Sequence, residues 1–323
     1  MSGSDWRPTA RRAAWVARAQ LAERTRAFFA ARGVLEVETP ALGAAATSDP
    51  QIQSLRVLDP QGAALGYLHS SPEYAMKRLL AAGSGDIYQL CRVYRAGERS
   101  RLHNPEFTLL EWYRLGFGLQ ALMQETAALC QQLLDDGPPR PVEYVSYQEA
   151  FLRHLGVDPL AASTERLAER ALAHGLAGSS LATSTREELL DFLVATQVGP
   201  RLGEAGLACL HHYPASQASL AQIDAQDPRT ALRFELYAQG IELANGYVEL
   251  GDAREQRRRF AADRRERQRR GLAPHGGDDR LLAALAAGLP ACAGVALGFD
   301  RLLMVRLGAA SIDEVLALPI ERA

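Results

Sequence analysis

Residues 95–114, RAGERSRLHNPEFTLLEWYR, have the pattern of two β-strands joined by a charged loop. In an extended chain, alternate side chains lie on the same face. Phe107, Glu111 and Tyr113 therefore share one face, where two aromatic rings stand beside a carboxylate. A carboxylate does not contribute to packing on a strand that lies in a hydrophobic core. A ligand with a flat ring and a cationic amine would fit such a face.

The size and charge of the chain limit the classes of function. Its 323 residues are 47% hydrophobic, which suffices for a substantial core in one large domain or two smaller ones. The 36 basic and 38 acidic residues leave a formal charge of −2, so no general positive field attracts nucleic acid. This net charge does not exclude a local positive patch. Lys77 is the only lysine, and all other basic residues are arginine.

The cysteines and the apolar runs indicate the compartment. Cys91, Cys130, Cys209 and Cys292 are far apart and form no CxxC pair, which argues against a zinc knuckle or a disulfide framework. The first residues lack the apolar segment of an export signal, and no run of about 18 apolar residues follows. We therefore expect a cytoplasmic protein without a membrane association.

The order of helix and strand patterns predicts an α+β fold. Helical spacing occurs over 10–32, 119–135 and 254–270, and strand patterns occur over 34–40, 86–95, 208–214, 233–237 and 242–250. Residues 294–309, GVALGFDRLLMVRLGA, indicate a strand that turns into a helix through Gly298. The Ala/Leu/Arg/Glu-rich segment at about 146–205 predicts a mainly helical insertion, with helix caps at Ser163 and Thr185. No long linker interrupts the chain, so residues 1–323 are interpreted as a single domain.

The segment 70-SSPEYAMKRLLAAG-83 has the signals of a short helix. Ser71 is suited to the N-cap, and Pro72 to the first helical position. Glu73 would then lie in the first turn, near whatever ligand approaches that end of the helix.

Three segments combine charged side chains that could carry chemistry. The first contains Arg95, Glu98 and Asn104, the second Glu235, Glu242, Asn245 and Glu249, and the third Gly298, Asp300 and Arg301. Each segment alone is a weak signal, because carboxylates on strands are usually exposed or salt-bridged. Together they provide guanidiniums for phosphate oxygens, carboxylates for Mg²⁺ and glutamates for an ammonium group. They predict a site that joins ATP to an amine-bearing acid.

The order of these segments resembles the three signature motifs of class II aminoacyl-tRNA synthetases of the lysyl type. HNPEF followed by E-x-Y is highly specific, and the resemblance covers roughly residues 12–120 and 205–320. A lysyl-tRNA synthetase carries an anticodon-reading barrel before its first motif, whereas that motif begins here about twenty residues in, so we expect no anticodon-binding domain. The stretches SPEYAMKRLL, HNPEFTLLEWYR, PASQASLAQ and GIELANGY resemble the elongation factor P lysine ligase family, also called β-lysine ligases.

The resemblance implies a fold and a reaction. The fold would be a class II synthetase catalytic domain, an antiparallel six- or seven-stranded sheet flanked by helices that forms a homodimer through the first motif. With ATP and Mg²⁺, the carboxylate of (R)-β-lysine or lysine would attack the α-phosphorus and form an acyl-adenylate. The ε-amine of a lysine on elongation factor P would then attack that anhydride.

Matching positions imply roles for individual residues. Arg95 and Arg301 would be the catalytic residues, holding the α- and γ-phosphates. Phe107 would stack on adenine. The remaining contacts to ATP would come from Gly97, Glu98, Asn104, Glu242, Leu243 and Gly298. Glu235 and Glu242 would hold Mg²⁺. The substrate amino acid would be bound by Ser71, Pro72, Glu73, Glu111, Tyr113, Asn245, Glu249 and Ala296, with Glu249 as the partner of its ε-ammonium.

Two positions depart from the pattern of the lysyl-tRNA synthetases. Those enzymes usually have Glu two positions after the arginine matched by Arg95, but Gly97 stands here and Glu98 follows. Either Glu98 or the backbone near Gly97 would serve the adenine amine. Ala296 stands where the synthetases usually have Gly, and its methyl group would crowd an α-amine while leaving room for a β-amine. One methyl group typically discriminates by about 1–3 kcal/mol.

Two alternatives differ in class from this interpretation. A truncated lysyl-tRNA synthetase would charge tRNA, but neither the anticodon barrel nor a basic net charge supports it. A synthetase-like regulatory subunit would bind a ligand without catalysis and would be expected to lack the phosphate arginines or the metal carboxylates. The arginine-rich helix at 254–270 is by default a solvated face, although it could contribute to a surface for an acidic protein partner.

Overall fold

The computed structural model describes residues 6–134, 137, 139–178, 184–275 and 277–323. Its centre is a sheet of eight strands, in spatial order β1 (Leu35–Glu36), β5 (Ile87–Tyr94), β6 (Glu106–Leu115), β11 (Cys292–Gly298), β10 (Ile241–Val248), β9 (Thr230–Ala238), β8 (Leu207–Pro214) and β7 (Val142–Ser146). A smaller antiparallel sheet contains β2 (Leu42–Gly43), β4 (Ala64–Leu68) and β3 (Arg56–Leu58). The predicted α+β class is confirmed.

The prediction of an entirely antiparallel sheet with six or seven strands was wrong at the two edges. Among the six central strands, from β5 to β8, every adjacent pair is antiparallel. The edge strands β1 and β7 run parallel to β5 and β8. Helical segments connect each of these parallel pairs, and a crossover of this kind returns the chain in the same direction.

The helices flank the central sheet. They are α1 (Arg12–Ala30), α2 (Glu73–Ala81), α3 (Leu119–Leu134), α4 (Tyr147–Leu155), α5 (Thr164–Ala173), α6 (Arg186–Leu193), α7 (Ala253–Arg269), α8 (Asp279–Gly288) and α9 (Phe299–Leu307). A π-helical turn covers Val194–Val198, and 3-10 turns cover Gly199–Arg201, Ala215–Gln217 and Ile312–Glu314. Within the described ranges, every helix is too short or too polar to cross a membrane.

One face of the central sheet forms the main core. Helices α1, α3 and α9 cover this face. Trp112 of β6 is fully buried there, and its ring packs edge-on against Phe29 of α1 at a centroid distance of 5.4 Å. Because side chains alternate along β6, Glu111 and Tyr113 point to the opposite face, as predicted. The face opposite this core is therefore available for a site.

Helices α4 to α6 form a second layer beside β7 and β8. Leu167, Leu190 and Leu193 bury their side chains in a separate cluster with residues of β8. The predicted caps are confirmed: Ser163 accepts a hydrogen bond from the amide of Arg166, and Thr185 forms a capping box. The helices lie within the predicted insertion at 146–205. The interpretation of the chain as a single domain remains a prediction.

The start of α2 differs by one residue from the predicted position. Pro72 is the N-cap and Glu73 the first helical residue, whereas the sequence had suggested Ser71 and Pro72 for these positions. The Ser71 hydroxyl nevertheless makes two hydrogen bonds. It accepts a hydrogen bond from the amide of Glu73 at 3.0 Å and donates one to Glu111 Oε2 at 2.7 Å. The start of α2 is thereby tied to β6.

Candidate active site

A cavity of about 720 Å³ lies on the face of the sheet opposite the main core. This volume is within the range of sites that bind small molecules and cofactors. Most of the predicted site residues line it: Ser71, Glu73, Arg95, Glu98, Asn104, Phe107, Glu111, Tyr113, Glu242, Leu243, Asn245, Glu249, Ala296, Gly298 and Arg301. Pro72, Gly97 and Glu235 do not line it. Segments far apart in the chain thus meet in one place, as their chemistry suggested.

One end of the cavity is an acidic cup lined by Ser71, Glu73, Glu111, Tyr113 and Glu249. Lys77 does not line the cavity but contacts Glu73 and Glu249 of the cup. Glu111 is 2% exposed and accepts hydrogen bonds of 2.7 Å from the hydroxyl groups of Ser71 and Tyr113. Burial, together with the neighbouring carboxylate of Glu73, raises the pKa of Glu111 to about 8. These two hydrogen bonds oppose that rise. No cation of the described residues pairs with Glu111, so the cup has a place for an ammonium group.

Glu249 is held differently from Glu111. It is 3% exposed, and its Oε2 lies 2.6 Å from Nζ of Lys77 in an ionic contact that lacks hydrogen-bond geometry. Lys77 Nζ also donates a hydrogen bond of 2.6 Å to Oε1 of Glu73. Burial raises the pKa of Glu249 to about 7 although Lys77 lowers it. The sequence interpretation missed Lys77, and its spacing of four residues from Glu73 on one helix was the available signal.

Gly294 of β11 was also missed. A Cβ atom at this position would lie 2.3 Å from Cε1 of Tyr113 and 2.6 Å from Oε1 of Glu249. Any side chain here would displace either the ring or the carboxylate. Two positions along, Ala296 pairs with Glu111 on one side and with Asn245 on the other. Its methyl group therefore forms part of the cavity wall between those two side chains.

Asn245 is positioned by Arg233, another residue that the sequence interpretation missed. Arg233 Nε donates to Asn245 Oδ1 at 3.3 Å, and Nη1 donates to the carbonyl of Gln217 at 2.9 Å. The guanidinium also donates to Glu235 Oε1 at 2.6 Å. The arginine fixes the amide orientation and occupies one oxygen of Glu235.

The opposite end of the cavity carries the two predicted phosphate arginines. Arg95 lies 3.6 Å from Glu98 Oε1, and its guanidinium is 5.0 Å from the ring centroid of Phe107. Arg301 donates to the carbonyl oxygen of Glu242 at 3.0 Å and to Nε2 of His103 at 2.6 Å. Because Nε2 accepts this bond, His103 is neutral. Burial and the charge of Arg301 lower the pKa of His103, in agreement with that state.

Asn104 and Asp300 bond to the backbone rather than leaving their polar groups free. Asn104 Nδ2 donates to the carbonyl of Glu106 at 2.7 Å, and its Oδ1 accepts from the amide of Ile320 at 3.1 Å. Asp300 accepts from the amide of Thr108 at 2.6 Å and pairs with Arg18. Both side chains tie the loop and strand β6 to distant parts of the fold.

The two predicted metal ligands differ in their availability. Glu242 lines the cavity, and its Oε2 lies 3.4 Å from Arg301 Nη1. Glu235 does not line the cavity and accepts hydrogen bonds of 2.6 Å from Arg233 and from the Tyr237 hydroxyl. Across the described part of the chain, no three His, Cys, Asp or Glu side chains are placed to hold a metal ion. Glu242 therefore fits a Mg²⁺ that is also bound by phosphate oxygens, whereas Glu235 fits only if its present bonds are exchanged.

Comparison with known proteins identifies the family of the chain. The model of the family described as tRNA synthetases class II (D, K and N) matches residues 4–322. The chain belongs to this family. It is 50% identical over 323 residues to the elongation factor P–(R)-β-lysine ligase of Salmonella typhi, covering 98% of each chain. It is 49% identical over 325 residues to the protein of that name from Pectobacterium atrosepticum, covering 99% of each. The resemblance to the β-lysine ligases is thereby confirmed.

Proposed function

We propose that the chain is an AMP-forming ligase that activates (R)-β-lysine with ATP and transfers it to the ε-amine of a lysine on elongation factor P. The observation that carries this proposal is a single cavity with a buried acidic cup at one end and Arg95 and Arg301 at the other. A diamino acid fits the cup, and a polyphosphate fits the guanidiniums. The names of the relatives point to the acceptor protein and the β-amino acid.

In this proposal the cup binds the two ammonium groups of the amino acid. Glu249 is the partner of the ε-ammonium, and Glu111 and Tyr113 complete its surroundings. Ser71, Glu73, Asn245 and Ala296 surround the rest of the substrate. Pro72 acts indirectly, because it fixes the first turn of α2. The uncompensated carboxylate of Glu111 supports this arrangement, since a buried anion is costly unless a cation pairs with it.

The nucleotide occupies the arginine end. Arg95 holds the α-phosphate, Arg301 the γ-phosphate, and Phe107 stacks on adenine. Asn104, Leu243 and Gly298 line the nucleotide site. For the adenine amine we favour Glu98 over the backbone of Gly97, because Glu98 lines the cavity and Gly97 does not. The nucleotide would exchange the present contacts of both arginines for phosphate oxygens.

Glu242, and Glu235 after exchange of its present partners, would hold Mg²⁺ next to the phosphates. Bound Mg²⁺ neutralises charge on phosphate oxygens and orients them. Glu242 already faces the cavity beside Arg301, which supports its assignment. Any role of Glu235 requires the bonds from Arg233 and Tyr237 to be released.

The chemistry needs alignment and charge rather than a covalent enzyme intermediate. A carboxylate oxygen of the amino acid attacks the α-phosphorus, the bond to the bridging oxygen of the β-phosphate breaks, and pyrophosphate leaves. The acceptor amine then attacks the acyl carbon, AMP leaves, and the amine loses a proton to solvent. The cup fixes the amino acid, while Arg95 and Arg301 stabilise the negative charge that builds on the phosphates.

Amino-acid-dependent exchange of pyrophosphate into ATP tests the first step. We expect exchange with (R)-β-lysine and none without an amino acid. Exchange with (R)-β-lysine that is accompanied by acylation of tRNA, but not of elongation factor P, would favour the truncated synthetase. Binding of lysine without any exchange would favour the regulatory subunit.

We further propose that the chain is a cytoplasmic homodimer. Large apolar side chains are exposed in the first motif, namely Trp15, Val16 and Leu35, and in the small sheet that follows it, among them Leu58 and Leu65. Such residues are suited to an interface between two copies. The four free cysteines are compatible with a reducing compartment. Light scattering coupled to gel filtration should give the mass of two chains, and Leu35→Glu should shift it toward one.

A further inference from the structure

Lys77 is the only lysine in the chain and is among its most deeply buried residues. It is 1% exposed, and its Nζ lies 2.6 Å from both Oε1 of Glu73 and Oε2 of Glu249. A buried ammonium is very unfavourable without paired charges. Among the predicted substrate residues, only Glu73 and Glu249 are held by this cation, which indicates a role beyond packing.

The contacts of Lys77 connect two separate elements. Glu73 belongs to the first turn of α2, and Glu249 follows β10. The lysine ammonium is a compact point charge that can face both carboxylates, whereas an arginine guanidinium is a planar fork that suits one of them bidentately. This geometry fits the one position at which a chain otherwise using arginine carries a lysine.

Lys77 also determines the charge of the acidic cup. With all groups ionised, Glu73, Glu111, Glu249 and Lys77 carry two net negative charges. A diamino acid brings two ammonium groups, and its carboxylate is directed toward the phosphates. The charge left by Lys77 therefore matches the part of the substrate that enters the cup.

We propose that Lys77 is a positioning residue for amino-acid recognition, which aims Glu73 and Glu249 into the cup and leaves Glu111 to receive an ammonium group. This inference rests on the proposed function. The alternative explanation is purely electrostatic: Lys77 is only a nearby positive charge that repels the ammonium groups of the substrate. The two accounts differ in sign, because removal of Lys77 weakens amino-acid binding in the first and tightens it in the second.

The titratable groups around Lys77 define a second readout. Glu73 faces it from the same helix, Glu249 from the end of β10, and Cys292 from β11. Glu111 and Tyr113 of β6 lie close to the carboxylates of Glu73 and Glu249. Without the ammonium group, the carboxylates of the cup ionise less readily. The rise of lysine affinity with pH should therefore move to higher pH in a variant without Lys77.

The test is Lys77→Met, compared with Arg114→Met. Arg114 is a half-buried cation between Asp86 and Glu125 and lies outside the cavity, so its loss controls for a broken ion pair. Pyrophosphate exchange at varied amino-acid and ATP concentrations gives both KM values, and calorimetry gives lysine binding without catalysis. We expect the KM for the amino acid to rise at least about tenfold in Lys77→Met, with the KM for ATP within about twofold. Arg114→Met should leave both KM values unchanged.

An unchanged or lower KM for the amino acid in Lys77→Met would overturn the inference while leaving the proposed function intact. If the wild type binds lysine more tightly than Lys77→Met but catalyses no pyrophosphate exchange, the proposed function is overturned and the inference on Lys77 is not. If Lys77→Met does not fold, Lys77→Arg retains the charge and alters the geometry. It should raise the same KM severalfold, and an unchanged KM there would show that positioning by the ammonium group is not required.

Discussion

The two ends of the cavity hold their charges in different ways. In the acidic cup, Glu111 and Glu249 are almost fully buried and have partners at 2.6–2.7 Å. At the other end, the side chains of Arg95 and Arg301 are 24% and 20% exposed. Arg95 is 3.4 Å from the carbonyl oxygen of Ser70, and Arg301 contacts a carbonyl and a neutral imidazole.

This difference indicates which part of the site is ready before a ligand binds. The cup is preorganised, since hydroxyl groups and Lys77 already fix its carboxylates. The arginines bond to groups that phosphate oxygens can replace, so the nucleotide end is completed by its ligand. We therefore expect changes in the cup to affect amino-acid binding, and changes at the arginine end to affect the rate of adenylate formation.

Arg301→Ala should have the largest effect. Loss of one charge-stabilising donor typically lowers a rate by about 10²–10³-fold, and the arginine should act mainly where charge builds on phosphate. Pyrophosphate exchange measures this rate, and calorimetry should find lysine binding unchanged. Arg99→Ala is the control, because Arg99 pairs with Asp313 and Glu321 outside the cavity. A loss of less than about threefold in Arg301→Ala would contradict the assigned role.

Glu111→Gln should weaken amino-acid binding by about 10- to 100-fold. A hydrogen bond to a charged group contributes about 1.5–3 kcal/mol, and the amide cannot pair with an ammonium group as the carboxylate does. Titration calorimetry with lysine measures the effect. Glu106→Gln is the control on the same strand, because Glu106 points to the other face and is exposed. Equal affinities for the two variants would show that the cup does not receive the amine through Glu111.

The affinity for lysine should rise with pH between about 6 and 8, by at most about tenfold per unit for each carboxylate. The raised pKa of about 8 for Glu111 and about 7 for Glu249 places their ionisation in this range. The stability of the ligand-free protein should change in the opposite direction, falling as the pH rises. A carboxyl whose folded pKa is raised stabilises the fold below its unfolded pKa, and this stability is lost as the pH rises through the folded value.

Calorimetry across this range gives the affinity, and thermal unfolding without ligand gives the stability. In Glu111→Gln both pH dependences should become shallower. If the pH dependences of affinity and stability are identical in the wild type and this variant, Glu111 is not the group that titrates in this range.

Ala296→Gly should have the smallest effect. Removal of the methyl group between Asn245 and Glu111 gives an α-amine more room, so the preference for (R)-β-lysine over lysine should fall by about tenfold. The ratio of kcat/KM for the two amino acids in pyrophosphate exchange measures this preference. An unchanged ratio would mean that this position does not determine the place of the amine.

Local pattern was sufficient to predict the site face of β6. The alternation of side chains placed Glu111 and Tyr113 opposite Trp112, because a strand has a period of two whatever surrounds it. The match to family motifs then brought together Arg95 and Arg301, which no local pattern relates. These predictions agree with the cavity lining.

The remaining features depend on contacts between distant segments. The sequence places Lys77 four residues after Glu73, but its contact with Glu249 exists only because α2 packs against the end of β10. The need for Gly294 arises from the ring of Tyr113 on a neighbouring strand. The partners of Glu235 are an exception, because Arg233 and Tyr237 lie two residues away on the same strand, and the sequence did not indicate that they would bond to it.

The most direct test of the account is the intact mass of purified elongation factor P after incubation with the chain, ATP, Mg²⁺ and (R)-β-lysine. We predict a gain of one β-lysyl unit that disappears without ATP and is strongly reduced with Arg301→Ala. The account would be contradicted if intact elongation factor P remained unmodified in a mixture where pyrophosphate exchange with (R)-β-lysine is active.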